Sequence, residues 1–168
     1  MLPIPASVKK LSDIRAGYIV EVPLREEAVV ALVVDGHSAG QLLLVLTARN
    51  EAPRLLPVRR EFCAVDHGTN FGLDFSDQPA GFEETHHSTK IGDLLLCPDG
   101  LLMVTEFRAG EYQHPGLRFV DLHRGELVQR PDSSLAAFFS HWRLYLPSPS
   151  GLISERRVLA RWSRPPDR

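Results

Sequence analysis

The sequence predicts a mainly β, α+β protein: antiparallel hairpins forming a small barrel or curved sheet, closed by one C-terminal amphipathic helix. Three observations predict it. Most segments are short apolar runs bounded by Gly, Pro, Asp or Asn, the punctuation of strands and turns. Two runs, AVVALVVD and QLLLVLTA, are apolar on both alternating faces, which implies strands covered on both sides. Only near the end does the apolar spacing change from that of a strand to that of a helix.

In chain order, Gly17–Leu24 (GYIVEVPL) places Tyr18, Val20 and Val22 on one face of a strand. Ala28–Asp35 and Gln41–Ala48 read as a long hairpin, with GHSAG supplying the turn. A second β-region opens with Glu61–Asp66, the turn HGTN and the strand Phe71–Phe75. Asp93–Cys97 and Leu101–Phe107 form a hairpin across Pro-Asp-Gly, a tight-reversal signal, and LRFVDL with ELVQR form another across His123-Arg124-Gly125. In SSLAAFFSHWRLYL, Leu135, Phe138, Phe139, Trp142 and Leu146 fall on one stripe of an α-helix, with Ser133 or Ser134 as N-cap. The segment from Ser154 to Arg168 carries five arginines against two acids and reads as a basic tail, a solvated end or a short contact arm.

The 168 residues fit one compact domain, with two β-modules, about 12–60 and 61–146, as a variant of that reading. The variant rests on an echo: Gly17-Tyr-Ile-Val-Glu-Val-Pro23 and Gly92-Asp-Leu-Leu-Leu-Cys-Pro98 share the form Gly-x-apolar-apolar-x-apolar-Pro. A hydrophobic content of 43% with 24% charged residues is that of an ordinary globular chain. The formal charge of −2 speaks against a general nucleic-acid binder. Two cysteines, Cys63 and Cys97, fit a reducing compartment. The N-terminus lacks the pattern of a secretory signal, and no apolar run approaches the roughly 20 residues of a membrane helix. The expectation is therefore a cytoplasmic protein with no membrane partner.

The chemically densest stretch is Asp66–His87, DHGTNFGLDFSDQPAGFEETHH. Zinc-type ligands occur in and around it at Cys63, His67, His86, His87 and Cys97, but on a strand Cys63 and His67 lie about 13 Å apart, too far to share one ion. No metal or other cofactor is expected. Neither cysteine has the electropositive setting of a nucleophile. General acid–base chemistry at Asp66, His67, Glu83, His86 and His87 gives the alternative function, a small β-barrel hydrolase or endoribonuclease. Against it, Glu61–Glu84 holds six carboxylates and no Lys or Arg, the wrong sign for a phosphate groove. The same asymmetry suits an acidic docking surface for a basic protein partner. Its candidate residues are Asp66, Asp74, Phe75, Asp77, Phe82, Glu83 and Glu84, aromatic anchors set among carboxylates.

GYIVEVPL followed by AVVALVV resembles the opening of small SH3-like barrels found in immunity proteins of bacterial toxin–immunity systems and in related toxin endoribonucleases. AVDHGTNFGLDFS with DSSLAAFF is similar to the ending of another immunity class, in which a Gly-Asn turn precedes an Asp-Ser-Leu-x-x-Phe helix. The chain departs from the first pattern at Tyr18, where Asp is usual, and lacks the Arg-Pro of the endoribonucleases. The resemblance implies a non-enzymatic protein that binds and neutralises a cognate toxin, and it transfers no catalytic residue.

Overall fold

A computed structural model describes residues 7–24, 27–47, 51–58, 62–75, 79, 81–83, 89–98, 100–107, 116–129, 136–148 and 150–165, those at 81–83 by their backbone alone. The first strands are β1 (Ser7–Lys10), β2 (Ile19–Leu24), β3 (Glu27–Asp35), β4 (Gln41–Val45), β5 (Arg54–Pro57), β6 (Cys63–Gly68) and β7 (Gly72–Phe75). They are followed by β8 (Gly81–Glu83), β9 (Leu94–Cys97), β10 (Gly100–Phe107), β11 (Leu117–Asp121), β12 (Glu126–Val128), β13 (Ala136–Phe139), β14 (His141–Leu146) and β15 (Arg157–Ser163). Twelve strands form one branched sheet, and β15, β14 and β7, in that order, form a second.

The strand register repeats. β2 pairs with β3 through Ile19 opposite Leu32 and Val20 opposite Ala31; β9 pairs with β10 through Leu94 opposite Met103 and Leu95 opposite Leu102. Leu32 then faces Leu44, and Leu44 faces Leu55; Met103 faces Val120, and Val120 faces Leu127. β6 lies on β2 with Val20 opposite Asp66, as β13 lies on β9 with Leu95 opposite Phe138. β1 borders β6 as β8 borders β13. β7 and β14 complete the two units and pair with each other, Leu73 opposite Leu144. The repeat thus runs from β1 to β7 and from β8 to β14, and divides between Phe75 and Gly81; β15 has no counterpart.

The units exchange strands. β5 joins β10 in parallel, Arg54 opposite Glu106, and β12 joins β3 in parallel, Glu126 opposite Asp35. The pairings β3-β4-β5-β10-β11-β12 therefore return to β3, with β2 and β9 branching away, so the sheet is no simple barrel. The exchange is reinforced by the buried Thr105 hydroxyl, which donates to the Pro53 carbonyl at 2.8 Å.

Alternation sorts the core. Val30, Leu32 and Val34 of β3, with Leu42 and Leu44 of β4, enter a central cluster shared with Leu94, Met103 and Val120. The opposite faces of the same strands are also buried. Val29, Ala31 and Val33 pack under Leu11 and Ile14, while Leu102 and Val104 pack under Ala136 and Phe138. That double coverage is why AVVALVVD and QLLLVLTA read as continuous hydrophobic runs.

The expected C-terminal helix is not there: Ala136–Phe139 and His141–Leu146 are strands β13 and β14, and the helical elements among the described residues are three short 3-10 turns. HWRLYL alternates exposed His141, buried Trp142, exposed Arg143 and buried Leu144, a strand rhythm that the helical stripe overlapped. Phe138 and Phe139 fill different clusters, as adjacent strand residues must. Aromatic-rich segments favour the pleated surface, and here tertiary pairing decides. Leu135 and the two serines lie outside the described residues. The basic tail also takes part in the fold, because β15 forms an edge of the second sheet. The two strands on either side of HGTN, β6 and β7, belong to different sheets. Among the described residues, no helix is long and apolar enough to cross a membrane.

Candidate binding surface

The acidic segment is distributed over both sheets. Asp66, on β6, is 8% exposed and is satisfied internally: Oδ2 accepts Lys9 Nζ at 2.6 Å and Oδ1 accepts the Gly68 N–H at 2.8 Å. The hydrogen bond and charge of Asp66 raise the Lys9 pKa above the ordinary lysine value. Asp74, on β7, is exposed, 3.4 Å from Arg156 Nη1. Its neighbour Phe75 points the other way, half-buried, with its ring 4.6 Å from that of Phe139. Phe82 and Glu83 lie on β8 opposite Ala137 and Ala136; their side chains, with Asp77, Glu84, His86 and His87, lie outside the described residues. Asp66 and Asp74 thus belong to different sheets, and one of them is committed to an internal ion pair.

His67 occupies a β-bulge. Ile19 pairs with Gly68 and Val20 with Asp66, so His67 is the extra residue, turned toward β2. Its side chain is 5% exposed and Nε2 lies 3.2 Å from Glu21 Oε1, the oxygen that also accepts Arg157 Nη2 at 2.8 Å. The contact geometry makes no hydrogen bond to Nε2. Cys63 is exposed, and Cys97 is buried with its Sγ donating to the Gly100 carbonyl at 3.5 Å. Among the described residues, no group of three or more His, Cys, Asp or Glu side chains could hold a metal ion.

Two concavities lie against the second sheet; of the residues that line them, the sequence singles out Asp74 and Phe75 for binding, but not the arginines or the β15 positions. One groove, about 840 Å³, runs along β15 from Val158 to Ser163, with Glu27, Ala28, Leu46, Thr47 and Glu51 on its other wall. β15 pairs with β14 on one side only, so its outer edge is unpaired among the described residues. Val158 is 51% exposed, and Leu152 and Ile153, just ahead of the strand, are 55% and 72% exposed. The second, about 590 Å³, is lined by Asp74, Phe75, His141, Trp142, Arg143, Arg161, Trp162 and Ser163. The only signal that could have found them is the alternation in HWRLYL and LARWS, which puts polar residues on one face of adjacent strands.

Three other arginines anchor the end of the chain. Arg156 stacks over Tyr145 at 4.2 Å as well as meeting Asp74. Arg157 meets Glu21, and Arg164 pairs with the fully buried Asp93 while lying over Phe138.

Comparison with family models, curated proteins and solved structures finds no match to this chain.

Proposed function

We propose that this protein acts by binding another protein, and that the partner it neutralises is a cognate bacterial toxin. The binding half of the proposal is carried by the outer edge of β15, unpaired among the described residues. An unpaired strand edge offers a row of backbone donors and acceptors to an incoming extended segment, and natural proteins cover or disrupt such edges unless they use them. Here the edge borders a groove with exposed Val158 in its lining, and Leu152 and Ile153, exposed just ahead of the strand, are the other apolar anchors of this reading. The occupant would be an extended segment of the toxin, added beside β15 as a further strand. The toxin half rests on the sequence resemblance to immunity proteins. Of the acidic segment, Asp74 keeps a place in this reading because it stands exposed on the same small sheet; Asp66, neutralised by Lys9, does not.

The test is coexpression with the toxin-like product of a neighbouring gene, followed by copurification and a growth-protection assay. Ile153→Asp with Val158→Asp, both at exposed positions, should keep the melting temperature and reduce affinity by at least about tenfold, the equivalent of 1.4 kcal/mol. Full-strength binding and protection by the double variant would remove the β15 edge from the interface. Failure to copurify with or protect against any neighbouring toxin would remove the toxin reading.

A further inference from the structure

We propose that the outward face of the small sheet binds a phosphate group through Arg143 and Arg161. The register of β14 on β15 sets Arg143 directly opposite Arg161, and His141 directly opposite Ser163. All four side chains are exposed, because the alternate positions Trp142, Leu144 and Ala160 turn into the core. The result is a compact patch of donors, two guanidinium forks flanked by an imidazole and a hydroxyl.

Like charges directly opposite across two strands disfavour one another. Elsewhere in this region each described arginine has an acidic counterpart: Arg156 has Asp74, Arg157 has Glu21 and Arg164 has Asp93. Arg143 and Arg161 have no hydrogen bond or ion pair among the described residues. The carboxylate nearest in register is Asp74, opposite Arg143 on β7, and it is engaged by Arg156 instead. An anion between the two guanidinium groups would convert their repulsion into two attractions, and the planar arginine fork matches phosphate oxygens in bidentate geometry.

The surface there is concave. The depression, about 590 Å³, is lined by the exposed Asp74, His141, Arg143, Arg161 and Ser163, while Phe75, Trp142 and Trp162, also along it, turn their rings to the core side of the same strands. The volume falls in the range of small-molecule sites rather than of a bare ion. The ligand class is therefore a phosphate monoester, its phosphate held between the two guanidinium forks.

Inorganic phosphate and phenyl phosphate serve as probes, titrated at constant ionic strength against chloride and followed by melting temperature and by 31P NMR. Both should give a saturable rise in melting temperature, with a Kd on the order of 1 mM or tighter. Arg143→Gln and Arg161→Gln should each weaken binding at least about tenfold, whereas Arg124→Gln, an exposed arginine outside the depression, should leave it unchanged. Without added phosphate at low salt, Arg161→Gln should melt no lower than the parent, since it relieves the opposed charges. A response no larger than that to chloride, or a saturable response that survives both glutamine variants, overturns the site.

Discussion

Arg164 closes onto Asp93 across 71 positions of sequence, offering Nε at 3.1 Å and Nη2 to the two oxygens of a carboxylate with no exposure to solvent. This pair fastens the end of β15 to the start of β9 and so locks the small sheet onto the large one. Oδ2 of Asp93 also accepts the Lys90 N–H at 2.7 Å, so the carboxylate is bonded from two directions. Removing one partner of a buried pair leaves the other charge uncompensated, at a cost of about 3–5 kcal/mol. Arg164→Ala should show that loss in chemical denaturation. A change below about 1 kcal/mol, the range of an exposed pair, would mean that water reaches Asp93.

Trp142 is 2% exposed in the central cluster, and its indole N–H donates to the Gly92 carbonyl at 2.7 Å. Trp142→Ala should destabilise by about 3–5 kcal/mol through the cavity it leaves. Trp142→Phe keeps most of the ring but orphans the carbonyl, and about 1–3 kcal/mol is expected. Equal losses for the two variants would show that the hydrogen bond, rather than the packing, carries the contribution.

Gly17 and Gly92 occupy equivalent places in the two units, both with positive φ, +85° and +96°. Each N–H donates at 2.8 Å to the facing strand, at Val33 and at Val104. A Cβ on Gly17 would meet backbone at 3.5 Å, whereas one on Gly92 would overlap the Trp162 indole. Gly17→Ala should therefore cost about 1–2 kcal/mol for the left-handed backbone alone, and Gly92→Ala clearly more. In a Trp162→Ala background the Gly92→Ala cost should fall toward that of Gly17→Ala, a non-additivity expected of neighbours. Additive losses in that cycle would contradict the contact.

The turn before β15 is tied by Glu155, whose Oε2 accepts the hydroxyls of Ser148 at 2.8 Å and Ser150 at 2.5 Å. These bonds, that from Ser150 first, hold the carboxyl pKa below the ordinary glutamate value. The unfolded chain then binds the proton more readily than the folded one. The contribution is present above the ordinary glutamate range and fades as pH falls through the lowered folded value. NMR titration of the 150–155 amides should show a midpoint below that of a free glutamate, returning upward in Ser150→Ala. An unshifted midpoint in the parent would rule the tie out.

Much of the strand pattern was legible. The doubly apolar run at β3, the Pro-Asp-Gly reversal between β9 and β10 and the Gly-x-x-x-x-x-Pro echo at Gly17 and Gly92 are local signals, written in turn chemistry and period. The stretch around Trp142 misled because Phe138, Phe139, Trp142 and Leu146 satisfy a helical stripe while Trp142 and Leu144 satisfy a strand; only partners on β7 and β15 decide between them. The same holds for the surfaces. Whether Asp66 is free depends on Lys9, and whether Arg143 lacks a counter-charge depends on where Arg156 turns. Those are pairings between distant positions, which spacing along the chain does not encode.

The strand exchange between the units has a consequence for how the chain is made. During synthesis the first unit emerges alone, with β5 lacking β10 and the end of β3 lacking β12. The inward side chains of Val30, Leu32 and Val34 then have no Met103 or Val120 to cover them. Such a half is adhesive until its sister arrives, and contacts this distant in sequence form slowly. Nascent chains paused between the units are the natural clients of a chaperone. Cutting the gene between codons 75 and 81 should yield two fragments that are sticky apart and that assemble into the native molecule when expressed together.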